Sequence, residues 1–252
     1  GPSASPAFQN KLVHRGALCF LQWNPAGTRL ITGDAAGTVC VWKADARGAL
    51  SASQQYRRGG PLTAMAFCAG PPGTRADVLS QTFSPSFFFG TEKGAVCYAD
   101  DLGHCTDVNQ LSAAVDCMMF YEEKMRLVII TRSLLMTQLQ VGDDGRVVPV
   151  MKVKLSVAGD ANDRGVREVC WAGPGLLCSA TQEKLVRFWD LANDENYVLT
   201  VTGGQVEKDD RATTVAFNPL QRYLAVGTKK GQVVMWKFEG EYAAGGRAGG
   251  GG

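Results

Sequence analysis

The sequence predicts an all-β fold, a β-propeller built from a repeated unit of short strands, and three observations predict it. An apolar–x–x–apolar–x–aromatic pattern recurs five times along the chain. A second half, ending in a large side chain at a near-constant offset, recurs with it. No stretch holds an amphipathic 3.6-residue period for three turns, so helices are not expected in the core.

The elements follow in order. Leu18-x-x-Leu21-x-Trp23 sets the pattern, which returns at Leu62/Met65/Phe67, Val115/Met118/Phe120, Val166/Val169/Trp171 and Ala212/Val215/Phe217. Successive aromatics lie 44, 53, 51 and 46 residues apart, the pitch of a propeller blade. Trp23 to Trp42 is 19 residues, as is Phe217 to Trp236, and Trp171 to Trp189 is 18. Repeats one and five align without a gap, Asn24-Pro25 on Asn218-Pro219, Gly33 on Gly227, Gly37 on Gly231. Repeat three carries Leu139 in the tryptophan's place, and repeat two drifts to Cys97-Tyr98.

Val39-Cys40-Val41-Trp42, Leu185–Trp189 and Val233–Trp236 are short, β-branched or aromatic, and bounded by turn residues, which is strand chemistry. Gly33–Gly37 and Gly227–Gly231 read as tight hairpins between second and third strands. Asn24-Pro25-x-Gly27 reads as a turn in which proline fixes φ and glycine accepts a positive one. Such a unit cannot bury both faces alone; stacking successive sheets radially buries them. Trp23, Trp42, Phe67, Phe120, Trp171, Trp189, Phe217 and Trp236 are therefore expected as structural aromatics between blades. Truncating one should cost about 3–5 kcal/mol.

The expected organisation is a lead-in over 1–16 with the outer strand of a preceding blade at Phe8–His14, blades over 17–238, and a flexible Gly-rich linker over 239–252. The five repeats are expected to be five blades of a larger, about seven-bladed ring. An incomplete ring leaves two open faces, so the isolated fragment is expected to aggregate. Cys68–Ser86 reads as an inserted loop, and Phe87-Phe88-Phe89 after it as a buried second strand. Ala158–Gly165 and Gly203–Arg211 read as solvated connections.

A formal charge of +2 excludes binding to nucleic acid or a membrane surface on charge alone. The longest apolar runs, such as Leu127–Ile130, fall far short of the roughly 20 residues a membrane helix needs. The eight cysteines show no Cys-x-x-Cys pair and no zinc spacing with histidine; small buried thiols in a reducing compartment are expected. His14 and His104 are the only histidines, and neither sits in a nucleophile–base arrangement. Gly227–Gly231 lacks the spacing of a phosphate loop. No catalytic, cofactor-binding or metal residue is expected, and the chain reads as a non-enzyme.

Leu185-Val186-Arg187-Phe188-Trp189-Asp190 carries the Trp-Asp dipeptide of the WD40 family, which the chain resembles over residues 8–238. It departs from that pattern six residues before the tryptophan, where Ala36, Lys230 and Glu183 stand. The polar side-chain network of such blades is therefore expected to be mostly missing, with packing in its place. Met151-Lys152-Val153-Lys154-Leu155-Ser156, Glu195-Asn196-Tyr197-Val198-Leu199 and Leu224–Trp236 resemble the N-terminal propeller of the intraflagellar transport protein 140 family. The resemblance implies a non-catalytic scaffold of intraflagellar transport complex A, acting in retrograde ciliary transport and ciliary entry of membrane-protein cargo. It implies other complex A subunits and cargo or cargo adaptors as partners, no nucleic acid, no direct membrane insertion, and no cofactor. It implies a location in the cilium or flagellum, at the ciliary base and in the cytoplasm. The alternative is a WD40 scaffold of another assembly, a ubiquitin-ligase substrate receptor or a vesicle-coat subunit.

Overall fold

The computed structural model describes residues 13–68, 85–154, 168–173, 175–201 and 209–238. Among them the chain forms nineteen strands and one 3₁₀ turn, Glu122–Lys124, with no α-helix. It divides into two units, Gly1–Leu155 and Ser156–Gly252. Most of each segment expected as lead-in strand (8–14), inserted loop (68–86), solvated connection (158–165 and 203–211) or Gly-rich linker (239–252) lies outside the described residues; of the second connection Asp210 is described and is fully buried, not solvated.

The first unit holds three four-stranded sheets in chain order. They are β1 (Leu18–Trp23), β2 (Arg29–Asp34), β3 (Thr38–Ala44), β4 (Leu50–Arg57); β5 (Leu62–Phe67), β6 (Phe87–Thr91), β7 (Ala95–Ala99), β8 (Cys105–Gln110); and β9 (Val115–Tyr121), β10 (Arg126–Thr131), β11 (Leu135–Val141), β12 (Val147–Lys154). The second unit holds a fourth sheet, β13 (Glu168–Trp171), β14 (Leu176–Ala180), β15 (Leu185–Asp190), β16 (Glu195–Thr200). A fifth follows, with three strands among the described residues: β17 (Ala212–Asn218), β18 (Tyr223–Thr228), β19 (Val233–Lys237). All pairings are antiparallel between consecutive strands, which short hairpins can make without crossovers.

The ladders put the repeat into register. Across the first three strands the aligned residues are Trp23–Leu30–Trp42, Phe67–Phe87–Ala99, Phe120–Leu127–Leu139, Trp171–Leu177–Trp189 and Phe217–Leu224–Trp236. The second repeat's equivalent of the tryptophan is thus Ala99, not Cys97 or Tyr98. The missing indole volume is filled from the neighbouring strand: Phe87 stands where the other repeats carry leucine, edge-on to Phe67 at 6.4 Å between ring centroids. A hydrophobic scan picks the nearest aromatic, whereas the hydrogen-bond ladder fixes which residue fills the slot.

Period-two alternation distributes the core between sheets. Phe87 and Phe89 point to one side of β6, into a cluster with Ile31, Val39 and Val41 of the first sheet. Phe88 points to the other, against Val115, Leu127 and Leu139 of the third. All three phenylalanines are fully buried, the near-continuous apolar run expected of a strand covered on both faces. Each such burial contributes roughly 1.5–3 kcal/mol. Gly90 is required here, because a Cβ would lie 2.6 Å from Val115. Within the second unit, Cys178, Val186 and Phe188 of the fourth sheet pack on Val215, Leu224 and Val226 of the fifth.

Candidate functional site

The eight repeat aromatics fall into different environments. Trp42 and Trp189 are buried; Phe67, Phe120, Trp171, Phe217 and Trp236 are half-buried at one rim of their sheets. Phe120 stacks on Phe88 of the preceding sheet at 6.4 Å, and Phe217 meets Phe238 edge-on at 6.0 Å. Trp23 departs from the packing role: it is 45% exposed, with Leu18 at 50% and Leu21 at 58%. The equivalent residues of the next two sheets, Leu62 (1%), Met65 (8%), Val115 (0%) and Met118 (5%), are covered by the sheet before them. Within the first unit no sheet precedes the first, and the same motif stands open there. On the fifth sheet Val233 and Met235 are likewise exposed.

The polar network expected to be mostly missing is present, with its carboxylates Asp34 and Asp210 at positions the sequence pattern did not single out. In the first sheet the Trp42 indole donates to Thr32 Oγ1 (2.8 Å), and that hydroxyl meets His14 Nε2 (2.6 Å). A carboxylate can only accept, so His14 donates its Nδ1–H to Asp34 (3.0 Å). Asp34, fully buried, also accepts the backbone N–H groups of Arg15, Ala36 and Thr38. Burial alone would raise its pKa, but the hydrogen bonds from Thr38, His14 and Arg15 outweigh that and hold the carboxyl below its ordinary value. Asp34 lies eight residues before Trp42, not six. The signal that could have found it is the ladder, since Asp34 is the last residue of β2 and opens the hairpin.

The same hairpin position carries threonine elsewhere. Thr91, Thr131 and Thr228 each accept, on their hydroxyl, the N–H four residues on. In the fifth sheet Thr228 donates its hydroxyl to Asp210, which also accepts the N–H groups of Arg211 and Lys230. Burial pushes the Asp210 carboxyl up, but these bonds and the Lys230 charge bring it below the usual range. In the fourth sheet Glu183 accepts from Thr181 Oγ1 (2.6 Å) and from Arg187 in a two-pronged contact at 2.7 and 2.8 Å. These contacts lock hairpins; none assembles a nucleophile with a base.

His104 is exposed and contacts Asp100 in its own turn at 2.8 Å. Cys40, Cys97 and Cys178 are buried, Cys19 is exposed, the other four half-buried, and all eight are free thiols. Burial pushes Cys40 and Cys97 up to about 12, which keeps them protonated at neutral pH. Among the described residues no group of three or more His, Cys, Asp or Glu side chains could hold a metal ion. No helix among them is long and apolar enough to cross a membrane.

Stacked four-stranded sheets, a repeat of this pitch and polar hairpin locks specify the architecture, and comparison with known proteins specifies the family. The model of the IFT140 first beta-propeller matches residues 73–249, more than half of the chain. The chain belongs to the IFT140 first beta-propeller family. A WD domain, G-beta repeat, matches residues 8–43, the stretch that contains His14, Thr32, Asp34 and Trp42. The IFT140-family chain is 39% identical over 80 residues to human WD repeat and SOCS box-containing protein 1, an alignment covering 31% of this chain and 17% of that protein. Among solved structures it is similar to the computationally designed Ika8 protein, with TM-score 0.61 at 17% identity over 89% of this chain and 59% of that one. It is also similar to a chain of the mitotic checkpoint complex, with TM-score 0.63 at 12% identity over 88% and 63%. These two likenesses show the fold, a WD40-type β-propeller. The chain thus spans less than two thirds of the length of each relative.

Proposed function

We propose that the chain is a non-catalytic scaffold, a subunit of intraflagellar transport complex A acting in retrograde ciliary transport and in ciliary entry of membrane-protein cargo. The observation that carries this reading is the match to the IFT140 first beta-propeller over residues 73–249. The physical chemistry favours it: sheets locked by buried polar contacts present hairpins and turns whose ordering entropy is already spent before a partner arrives. Fold alone would leave function open, so the reading rests on the family. Its partners would be other complex A subunits and cargo or cargo adaptors, and its place the cilium or flagellum, the ciliary base and the cytoplasm. The repeats over 17–238 would be blades of a ring of about seven, with 1–16 a lead-in and 239–252 a linker. The eight repeat aromatics would hold blade to blade, Trp23 once its open face is covered.

Affinity purification of the full-length protein from ciliated cells, with mass spectrometry of the co-purifying proteins, tests the proposal. Recovery of the other complex A subunits in near-equal amounts is the expected result. Recovery of ubiquitin-ligase or vesicle-coat components, with no ciliary partners, would overturn it and leave the fold untouched.

A further inference from the structure

The two ends of the sheets in the first unit carry opposite charge. At one end lie the β2–β3, β6–β7 and β10–β11 hairpins together with the linkers that join one sheet to the next. Arg15, Arg57, Lys93 and Arg132 are exposed there, and Arg58 is half-buried on Asp107. Two exposed carboxylates stand among these cations, Glu92 at 3.6 Å from Arg132 and Asp107 at 3.0 Å from Arg58; Asp34 is buried in its network and Asp116 half-buried. At the other end the turns expose Asp45, Asp101, Glu122, Glu123 and the Asp143–Asp144 pair, with Lys43, Arg47 and Arg146 among them.

Arg15, Arg58, Lys93 and Arg132 follow one another along the hairpin end. The Arg15 N–H donates to Asp34 at the first hairpin, and the Arg58 N–H donates to the Gly37 carbonyl of the same hairpin (2.8 Å). The Lys93 side chain lies over Gly60, where a Cβ would come within 3.8 Å of it. The Glu92 N–H donates to the Pro61 carbonyl (2.9 Å), and Glu92 leads on to Arg132. The backbone under this row is fixed. Asp34, Thr91 and Thr131 each tie their hairpin through the N–H four residues on. A rigid row of like charges costs little further ordering on binding and is compensated by a partner of opposite sign.

We propose that this hairpin end docks an acidic, extended segment of a partner protein, with Arg15, Lys93 and Arg132 meeting its carboxylates. A nucleic-acid strand fits less well. The row offers no exposed aromatic ring for bases to stack on among the described residues. This deepens the scaffold reading, but it is tested by direct binding, which can fail or succeed whether or not complex A co-purifies.

The experiment uses the full-length protein and a fluorescent twelve-residue peptide of alternating glutamate and serine, followed by anisotropy at low and physiological salt. Two variants carry the same change in net charge. One is Arg15→Glu/Lys93→Glu/Arg132→Glu at the hairpin end; the other is Lys43→Glu/Arg47→Glu/Arg146→Glu at the opposite end. The proposal expects the first to weaken peptide binding at least tenfold and the second less than twofold, with affinity falling as salt rises. Equal weakening by both would reduce the effect to net charge and overturn the proposal. So would tighter binding of a twelve-nucleotide oligothymidylate that the first variant abolishes, which would make the row a nucleic-acid surface. Lys93→Glu alone, a change at an exposed hairpin tip, repeats the test should the triple variant fail to fold.

Discussion

The first and fifth repeats align without a gap, yet they lock their hairpins in opposite directions. In the first, the buried carboxylate sits on the hairpin: Asp34 accepts from His14 and Arg15 of the lead-in and from its own turn. In the fifth, the carboxylate sits on the lead-in: Asp210 accepts from Thr228 and Lys230 of the hairpin. Thr228 occupies the place of Asp34, and Asp210 the place of Gly16. In these two repeats one desolvated, fully bonded carboxylate joins hairpin to lead-in, and either strand can supply it, whereas the second and third hairpins close on the Thr91 and Thr131 hydroxyls. The turn before β2 varies in the same way. Gly27 takes the positive φ in the first repeat and Arg222 takes it in the fifth.

The largest expected effect is loss of either carboxylate. Asp34→Ala would leave the donors of His14, Arg15, Ala36 and Thr38 without their acceptor and should destabilise the first sheet by roughly 3–5 kcal/mol. Asp210→Ala should do nearly as much in the fifth sheet. Hydrogen exchange of the full-length protein, read separately over β1–β4 and β17–β19, checks that each loss stays in its own sheet. The two tryptophans should differ by less. Trp42→Phe removes a hydrogen bond to Thr32 and should cost about 1–2 kcal/mol beyond the change in packing. Trp236→Phe should cost less, since Val226 stands where Thr32 does and Trp236 is only half-buried. The same exchange measurement ranks them.

Acid should act on both repeats alike. Both carboxyls titrate below the ordinary 3.8 when folded, so protons bind the unfolded chain more readily. Their contribution is present above the unfolded value and is lost progressively below about pH 5, as pH falls through the depressed folded values. Thermal melts from pH 5 to pH 2 should therefore fall more steeply for the native chain than for Asp34→Asn. The smallest effect is at the surface. Arg146→Ala breaks an exposed contact with Asp144 and should shift stability by no more than about 0.5 kcal/mol by the same melts.

Much of the fold was legible because strand pairing repeats a spatial constraint at a fixed pitch. Leu18, Leu21 and Trp23 recur in later repeats wherever the next sheet must be met. Phe87–Phe89 were recognisable as a buried strand from their run into a glycine hairpin. What resisted reading were substitutions compensated across strands, where the pattern on one strand is silent about its neighbour. Ala99 is intelligible only beside Phe87. Asp34 and Asp210 escaped because a search at one offset from the tryptophan assumes that the carboxylate keeps its strand. The open face at Trp23 was likewise invisible residue by residue, since its motif is the same as those that are covered.

The claim that the carboxylate joining hairpin to lead-in can come from either side is tested most directly by exchanging the two positions in the fifth repeat. Asp210→Gly leaves the donors of Thr228 and Lys230 unanswered, and Thr228→Asp alone sets two carboxylates against each other. Combined, they reproduce the first repeat, with the new aspartate placed to accept the N–H groups of Lys230 and Gln232 as Asp34 accepts those of Ala36 and Thr38. Hydrogen exchange over β17–β19 should show each single change destabilising, and the double change recovering by at least about 1 kcal/mol over the sum of the two. Losses that simply add would contradict the account.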